Sequence, residues 1–177
     1  MSDPNTFRRI IVIGCPGSGK TTFSKRLGEI TGIPVVHLDA LYWRENWQHI
    51  EKAEFDRLLA AELEKDTWIV DGNFTRTLGM RLEKCDCVIW LDYPRLWCMW
   101  GMFRRVVRWH GKSRPDMGGG CPDRFDLSFI KFIWNFRKEN QARIESKLAA
   151  GSTIRVFRMR RRRQTNEWLA ALKDRRA

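Results

Sequence analysis

Long apolar runs are missing from this chain. The greasiest stretch, Cys87 to Phe103, is broken by Asp92, Pro94 and Arg95, whereas a helix that crosses a bilayer needs about 20 mostly apolar residues. Ser2, Asp3, Pro4 and Asn5 make the N-terminus polar, which argues against a signal peptide. Paired cysteines are missing too. The five, at 15, 85, 87, 98 and 121, are odd in number and lack a Cys-x-x-Cys spacing, so neither a disulfide framework nor a structural zinc site is expected. Reduced thiols, a cytoplasmic location and no membrane partner are the simplest expectation. Acidic charge is also scarce: 21 Asp and Glu stand against 33 Lys and Arg, leaving a formal charge of +12. That excess calls for an anion. Nucleic acid, anionic lipid and the phosphates of a small substrate all qualify.

What is present is the composition of one globular domain, 177 residues with 43% hydrophobic and 31% charged, and no repeat or linker marks a second one. Short β-branched runs alternate with helical spacing. Strands are expected at Phe7–Ile13, Pro34–Leu38, Thr67–Val70, Cys87–Leu91 and Thr153–Met159, each closed by Gly, Asp or Arg. Helices are expected at Lys20–Ile30, Lys52–Lys65, Thr75–Lys84, from Pro94 to about Trp109, at Leu127–Ala149 and at Thr165–Asp174. His110 to Asp126 reads as a loop with Gly118-Gly119-Gly120. Such alternation predicts an α/β fold in three layers, with a five-stranded parallel sheet covered on both faces. Ligands then bind beyond the carboxyl ends of the strands, where Gly14, Asp39, Asp71 and Asp92 are expected to gather.

The first strand runs into Gly14-Cys15-Pro16-Gly17-Ser18-Gly19-Lys20-Thr21, a full match to G-x-x-x-x-G-K-[ST] between strand and helix. Bare backbone there lets N–H groups turn inward as an anion nest, and the following helix points its positive end at the same place. Gly14 through Thr22 are therefore expected to hold ATP, with Lys20 on the outer phosphates and Thr21 on Mg2+. No N-K-x-D base reader occurs, which favours ATP over GTP. Asp71, in "WIVDGNF", is the expected second magnesium partner, although Asp-Gly also makes turns. Asp39, in "VVHLDALYW", could accept a proton from an acceptor hydroxyl or cap a helix. Arg104, Arg105 and Arg108 precede the glycine loop, Arg114 and Arg124 lie within it, and Arg137 follows it. Mobile guanidiniums of this kind suit the spread charge of phosphoryl transfer. Trp43 and Trp47 are expected nearer a ligand than the tryptophans of the two long helices, which read as packing. The run Arg160 to Arg163 reads as base-pocket border, nucleic-acid contact or solvated turn.

The order of these motifs resembles the adenylate kinase-like branch of P-loop kinases, and within it the small DNA topology modulation (FlaR-type) proteins. The resemblance covers nearly the whole chain through "GCPGSGKTT", "PVVHLDALYW", "WIVDGNF", "VIWLDYPR" and "RPDMGGGCPDRFD". It implies a nucleotide-binding P-loop and a lid at about 111–125 within a single domain spanning 1–177. "DGNFTR" is similar to the adenylate kinase "DGFPR", which implies Arg76 or Arg81 at the acceptor phosphate. The arginine that stacks on the ATP base in those kinases falls at Gly101, and Arg105 falls where a phosphate-directed arginine is implied. The function so implied is transfer of the γ-phosphoryl group of ATP to a small acceptor, a nucleotide, nucleoside or metabolite. A nucleic-acid-associated ATP-binding protein acting through its basic surface is the alternative. No helix-turn-helix or other base-reading module supports it.

Overall fold

The computed structural model describes residues 7–112, 117, 120–122, 126–150 and 154–175. Apolar, β-branched sequence builds the centre. Strands β1 (Arg9–Gly14), β5 (Trp68–Asp71) and β6 (Cys87–Leu91) are almost wholly buried, as strands covered on both faces must be. With β2 (Val35–His37) and β7 (Arg155–Met159) they form one parallel sheet in the order β2-β5-β1-β6-β7. Because β1 lies between strands that follow it by more than fifty residues, its end meets chain from distant parts of the sequence. The register sets Val12 beside Asp71 and His37 beside Asp71, while Gly14 pairs with Leu91.

Helices α1 (Lys20–Thr31) and α7 (Arg162–Asp174) pack together, as do α5 (Arg95–Trp109) and α6 (Leu127–Ala150). Each contributes residues at helical spacing to the core. Phe23 and Leu27 come from α1, Cys98, Met102 and Val106 from α5, Ile133, Phe136 and Ile144 from α6, and Leu169 and Leu172 from α7. The amphipathic helix α3 (Lys52–Leu63) buries Phe55, Leu59 and Leu63. Burial of each such side chain stabilises by about 1.5–3 kcal/mol.

Four features depart from the sequence expectation. The second strand stops at His37, and Leu38 and Asp39 open a short helix, α2 (Leu38–Tyr42). A hairpin follows, β3 (Trp43–Arg44) and β4 (Gln48–His49), turned by Asn46 and Trp47 at φ 57° and 60°. The ten-residue helix expected at Thr75–Lys84 is a 3-10 turn (Thr75–Thr77) followed by α4 (Leu78–Leu82). The closing helix starts at Arg162 rather than Thr165, since the Gln164 side chain accepts from the N–H groups of Arg160 (2.8 Å) and Arg161 (3.1 Å).

Candidate active site

The turn from β1 into α1 is made of main chain. Gly19 precedes α1 in the left-handed region, at φ 89°, and no side chain caps the helix. Its first-turn N–H groups are therefore available to an anion. Ser18 is buried with its hydroxyl unpartnered. The Gly14 N–H donates to Asn73 Oδ1 at 3.0 Å, so the loop after β5 fixes the start of the turn. Lys20 folds back over it, donating through Nζ to the carbonyls of Gly14 (2.9 Å) and Cys15 (3.3 Å).

Beside the turn stands a carboxylate. Asp71 is buried at the end of β5, and its Oδ2 accepts from the Thr21 hydroxyl at 2.9 Å. His37 Nδ1 lies 3.0 Å from the same oxygen. Oδ1 is buried without a hydrogen-bond partner. An orphan carboxylate oxygen in such a place is a group with a ligand still to come. Among the described residues no cluster of three His, Cys, Asp or Glu could hold a metal by itself. Thr21 and Asp71 nevertheless suit Mg2+, which takes oxygen ligands, keeps several waters, and shares one or two carboxylates with substrate phosphates.

Helix α5 closes one wall by close approach of backbones. A Cβ on Gly17 would lie 2.1 Å from the Cys98 carbonyl, and one on Gly101 would lie 2.0 Å from the Gly17 carbonyl. Side chains are excluded at both positions. The position where the resemblance implies a base-stacking arginine thus carries a backbone contact with the turn. The thiols of Cys15 and Cys98 neighbour one another across the same seam, donating to the carbonyls of Ile133 (3.9 Å) and Tyr93 (3.8 Å). The Cys98 neighbour and burial push Cys15 up, whereas the Cys15 neighbour draws Cys98 down against its own burial. All five cysteines are free thiols.

The remaining predicted residues are placed as follows. Arg105 lies over the Phe129 ring at 5.3 Å, one turn beyond Gly101 on α5. Arg104 and Arg108 are exposed, the latter over Trp109 at 5.8 Å. Arg114 and Arg124 lie outside the described residues, as does much of the segment 111–125. Arg137 donates to Gln141 (2.8 Å) and stands 3.9 Å from Asp92. Asp39 is exposed in the first turn of α2. Arg76 forms a two-bond ion pair with Asp56 (2.7 and 2.6 Å). Arg81 is wholly buried and donates to the carbonyls of Gly72 (2.9 Å), Asn73 (2.6 Å) and Phe74 (3.0 Å). Burial lowers its pKa to about 9, so it stays a cation at neutral pH. Asp92 follows β6 beside the turn, lining a small cavity with Cys15, and two nitrogens of Arg158 hold it, at 2.8 and 2.7 Å. Trp43 packs on Trp47 at 5.6 Å, and Trp47 Nε1 donates to the Pro122 carbonyl at 3.2 Å. The hairpin also meets the loop through Asn46 N–H to Gly120 (2.8 Å) and Cys121 Sγ to Arg44 (3.0 Å).

His37 and Asn73 were not among the residues expected at the site. His37 carried a faint signal, being a titratable residue in the expected strand, two positions before Asp39. Only strand pairing sets it beside Asp71.

Comparison with known proteins agrees with this architecture. Adenylate kinases of Thermotoga petrophila and Thermotoga maritima are each 33% identical to the chain over 92 residues, 49% of this chain and 40% of theirs. The match thus spans less than half of those relatives. Two solved shikimate kinases superpose over most of their length. One, from Acinetobacter baumannii in complex with shikimate, covers 97% of this chain and 96% of its own at a TM-score of 0.59. The other, from Bacteroides thetaiotaomicron, covers 96% and 98% at 0.56. Both are 14% identical to it, a likeness of fold. No family model matches the chain. The fold is that of the P-loop kinases.

Proposed function

We propose that the chain is a cytoplasmic, single-domain P-loop kinase that moves the γ-phosphoryl group of ATP to a small acceptor with Mg2+, the acceptor being a nucleotide, nucleoside or metabolite. The observation that carries this reading is the buried Asp71 carboxylate. One oxygen is bonded to the Thr21 hydroxyl and the other is unpartnered, beside an uncapped helix N-terminus and a lysine. Magnesium, when bound, would neutralise charge on the phosphate oxygens. The turn's N–H groups would hold the phosphate chain, and Lys20 would exchange two carbonyls for a phosphate oxygen, a stronger charge-assisted partner. Arg105 would approach from the α5 wall. Asp39, Arg76 and Arg137 would serve as acceptor or lid contacts, and the segment 111–125 would exclude water. For Arg81 the hydrogen bonds favour a role in shaping the Gly72–Phe74 turn instead.

The test is a screen of phosphoacceptors with ATP and magnesium, followed by two variants. Lys20→Ala should lower turnover by about 10²–10³-fold, the usual cost of one preorganised charge. Asp71→Asn should raise the magnesium needed for half-maximal rate. Undiminished turnover in Lys20→Ala would rule the mechanism out. A second reading, an ATP-binding protein acting on nucleic acid in the manner of the topology modulation group, draws on the exposed run Arg160–Arg163. It requires duplex DNA binding that persists near physiological salt, since each phosphate contact releases a counterion.

A further inference from the structure

Helix α5 has two apolar faces. Cys98, Met102 and Val106 point into the core. On the opposite face Leu96, Trp100, Phe103 and Val107 are 67%, 51%, 47% and 65% exposed. The four recur at spacings of three and four and span about 17 Å of helix. Such a stripe gives the sheet nothing. On α6 the exposed Trp134 lies under Arg95 at 4.0 Å and the exposed Phe132 stacks on Phe129, itself beneath Arg105, on either side of that helix's buried face. Contiguous apolar surface of this kind marks an interaction site.

The charge along the helix that carries the stripe is of one sign. From Arg95 to Lys112 the sequence has no acidic residue, and in α6 none occurs before Glu139. Arg104 follows Trp100 by four residues, so its guanidinium borders the stripe, and Arg108 adds a further exposed cation one turn on, over Trp109. A basic amphipathic helix with Trp, Phe and Leu on one face and arginine at its rim is the form that lies in a bilayer interface. We infer that the outer face of α5 docks the protein on an anionic lipid surface. The sequence reading set membranes aside because nothing spans one, and among the described residues no helix is long and apolar enough to do so. Contact with one leaflet needs no span.

Two other occupants fit less well. Leu96, Val107 and the exposed Leu127 have no ring to stack, and Trp100 and Phe103 already stack on each other at 5.7 Å, whereas single-stranded nucleic acid needs rings open to its bases. A second copy would set the arginine rims of two molecules face to face. Anionic headgroups instead attract each rim arginine, while the acyl boundary receives the leucine, valine and ring edges.

The test is co-sedimentation of the full chain with vesicles of phosphatidylcholine, alone or mixed with phosphatidylglycerol. Binding to the mixed vesicles should exceed that to the neutral ones by about tenfold or more, and Arg104→Gln with Arg108→Gln should reduce the preference. Trp100→Ser with Phe103→Ser should weaken binding to the mixed vesicles by about tenfold or more with an unchanged thermal midpoint. Should that pair unfold the protein, Leu96→Gln with Val107→Gln carries the same expectation. No preference for the mixed vesicles, or binding indifferent to all of these substitutions, overturns the inference. So does a dimer, or tight capture of a single-stranded oligonucleotide, that the apolar substitutions abolish while vesicles go unbound.

Discussion

Arg81 spends its guanidinium on main-chain oxygens. The resemblance of "DGNFTR" to an acceptor-binding stretch put it beside a substrate phosphate, yet it lies fully buried with the Gly72, Asn73 and Phe74 carbonyls converging on it. Those carbonyls belong to the turn that carries Asn73, whose side chain holds the Gly14 N–H. One buried cation therefore fixes the loop that fixes the start of the phosphate turn. Removing it strands several buried acceptors, each costing about 1–3 kcal/mol. Arg81→Met should destabilise by about 3 kcal/mol or more, lowering the midpoint of thermal unfolding by about 6–12 °C for a chain of this size. Arg81→Lys should recover only part of the loss, because an ammonium cannot present the planar fork. An unchanged midpoint with a raised KM for the acceptor would return Arg81 to the acceptor role. Arg76 differs in kind: its partner is Asp56 on α3, at the surface, where ion pairs contribute at most about 1 kcal/mol.

Between elements, the contact that most constrains the site is the seam of α5 with the phosphate turn. Gly17 and Gly101 touch through backbone, leaving no room for a methyl group on either. Gly101→Ala should push α5 off the turn, costing about 1–3 kcal/mol as overpacking does and weakening nucleotide binding with it. Thermal unfolding and an ATP titration on the same variant measure both. Loss of neither would mean that α5 rests on the turn without supporting it. Elements of this sort differ in how plainly sequence announces them. Strands β1, β5 and β6 were legible because burial on both faces demands unbroken β-branched sequence that ends where polar residues begin. The hairpin from Trp43 to His49 was not, since left-handed Asn46 and Trp47 and the ties to Gly120, Cys121 and Pro122 are long-range consequences of packing. The first turn of α7 was missed because Gln164, rather than a residue ahead of the helix, supplies the capping oxygen.

At the scale of the molecule, strand order makes the site. Placing β1 between β5 and β6 brings Gly14, Asp71 and, through β2, His37 to one edge. No local signal could have paired His37 with Asp71, whereas the phosphate turn itself was readable in eight residues. A site assembled from separate strands ties ligand affinity to the stability of the whole sheet. ATP with magnesium at about a hundred times its Kd should stabilise the chain by about 2.7 kcal/mol, a rise in midpoint of about 5–10 °C. The two components are separable. Asp71→Asn leaves the N–H groups and Lys20 in place but removes the negative charge the protein offers a cation, so ATP alone should still stabilise it while added magnesium contributes little more. Lys20→Ala should reduce both increments, because the phosphate chain that helps hold the metal is itself bound less tightly. A wild-type midpoint that rises equally with and without magnesium would remove the cation from the Thr21–Asp71 pair, and leave the orphan oxygen of Asp71 to be filled by an acceptor group or by water.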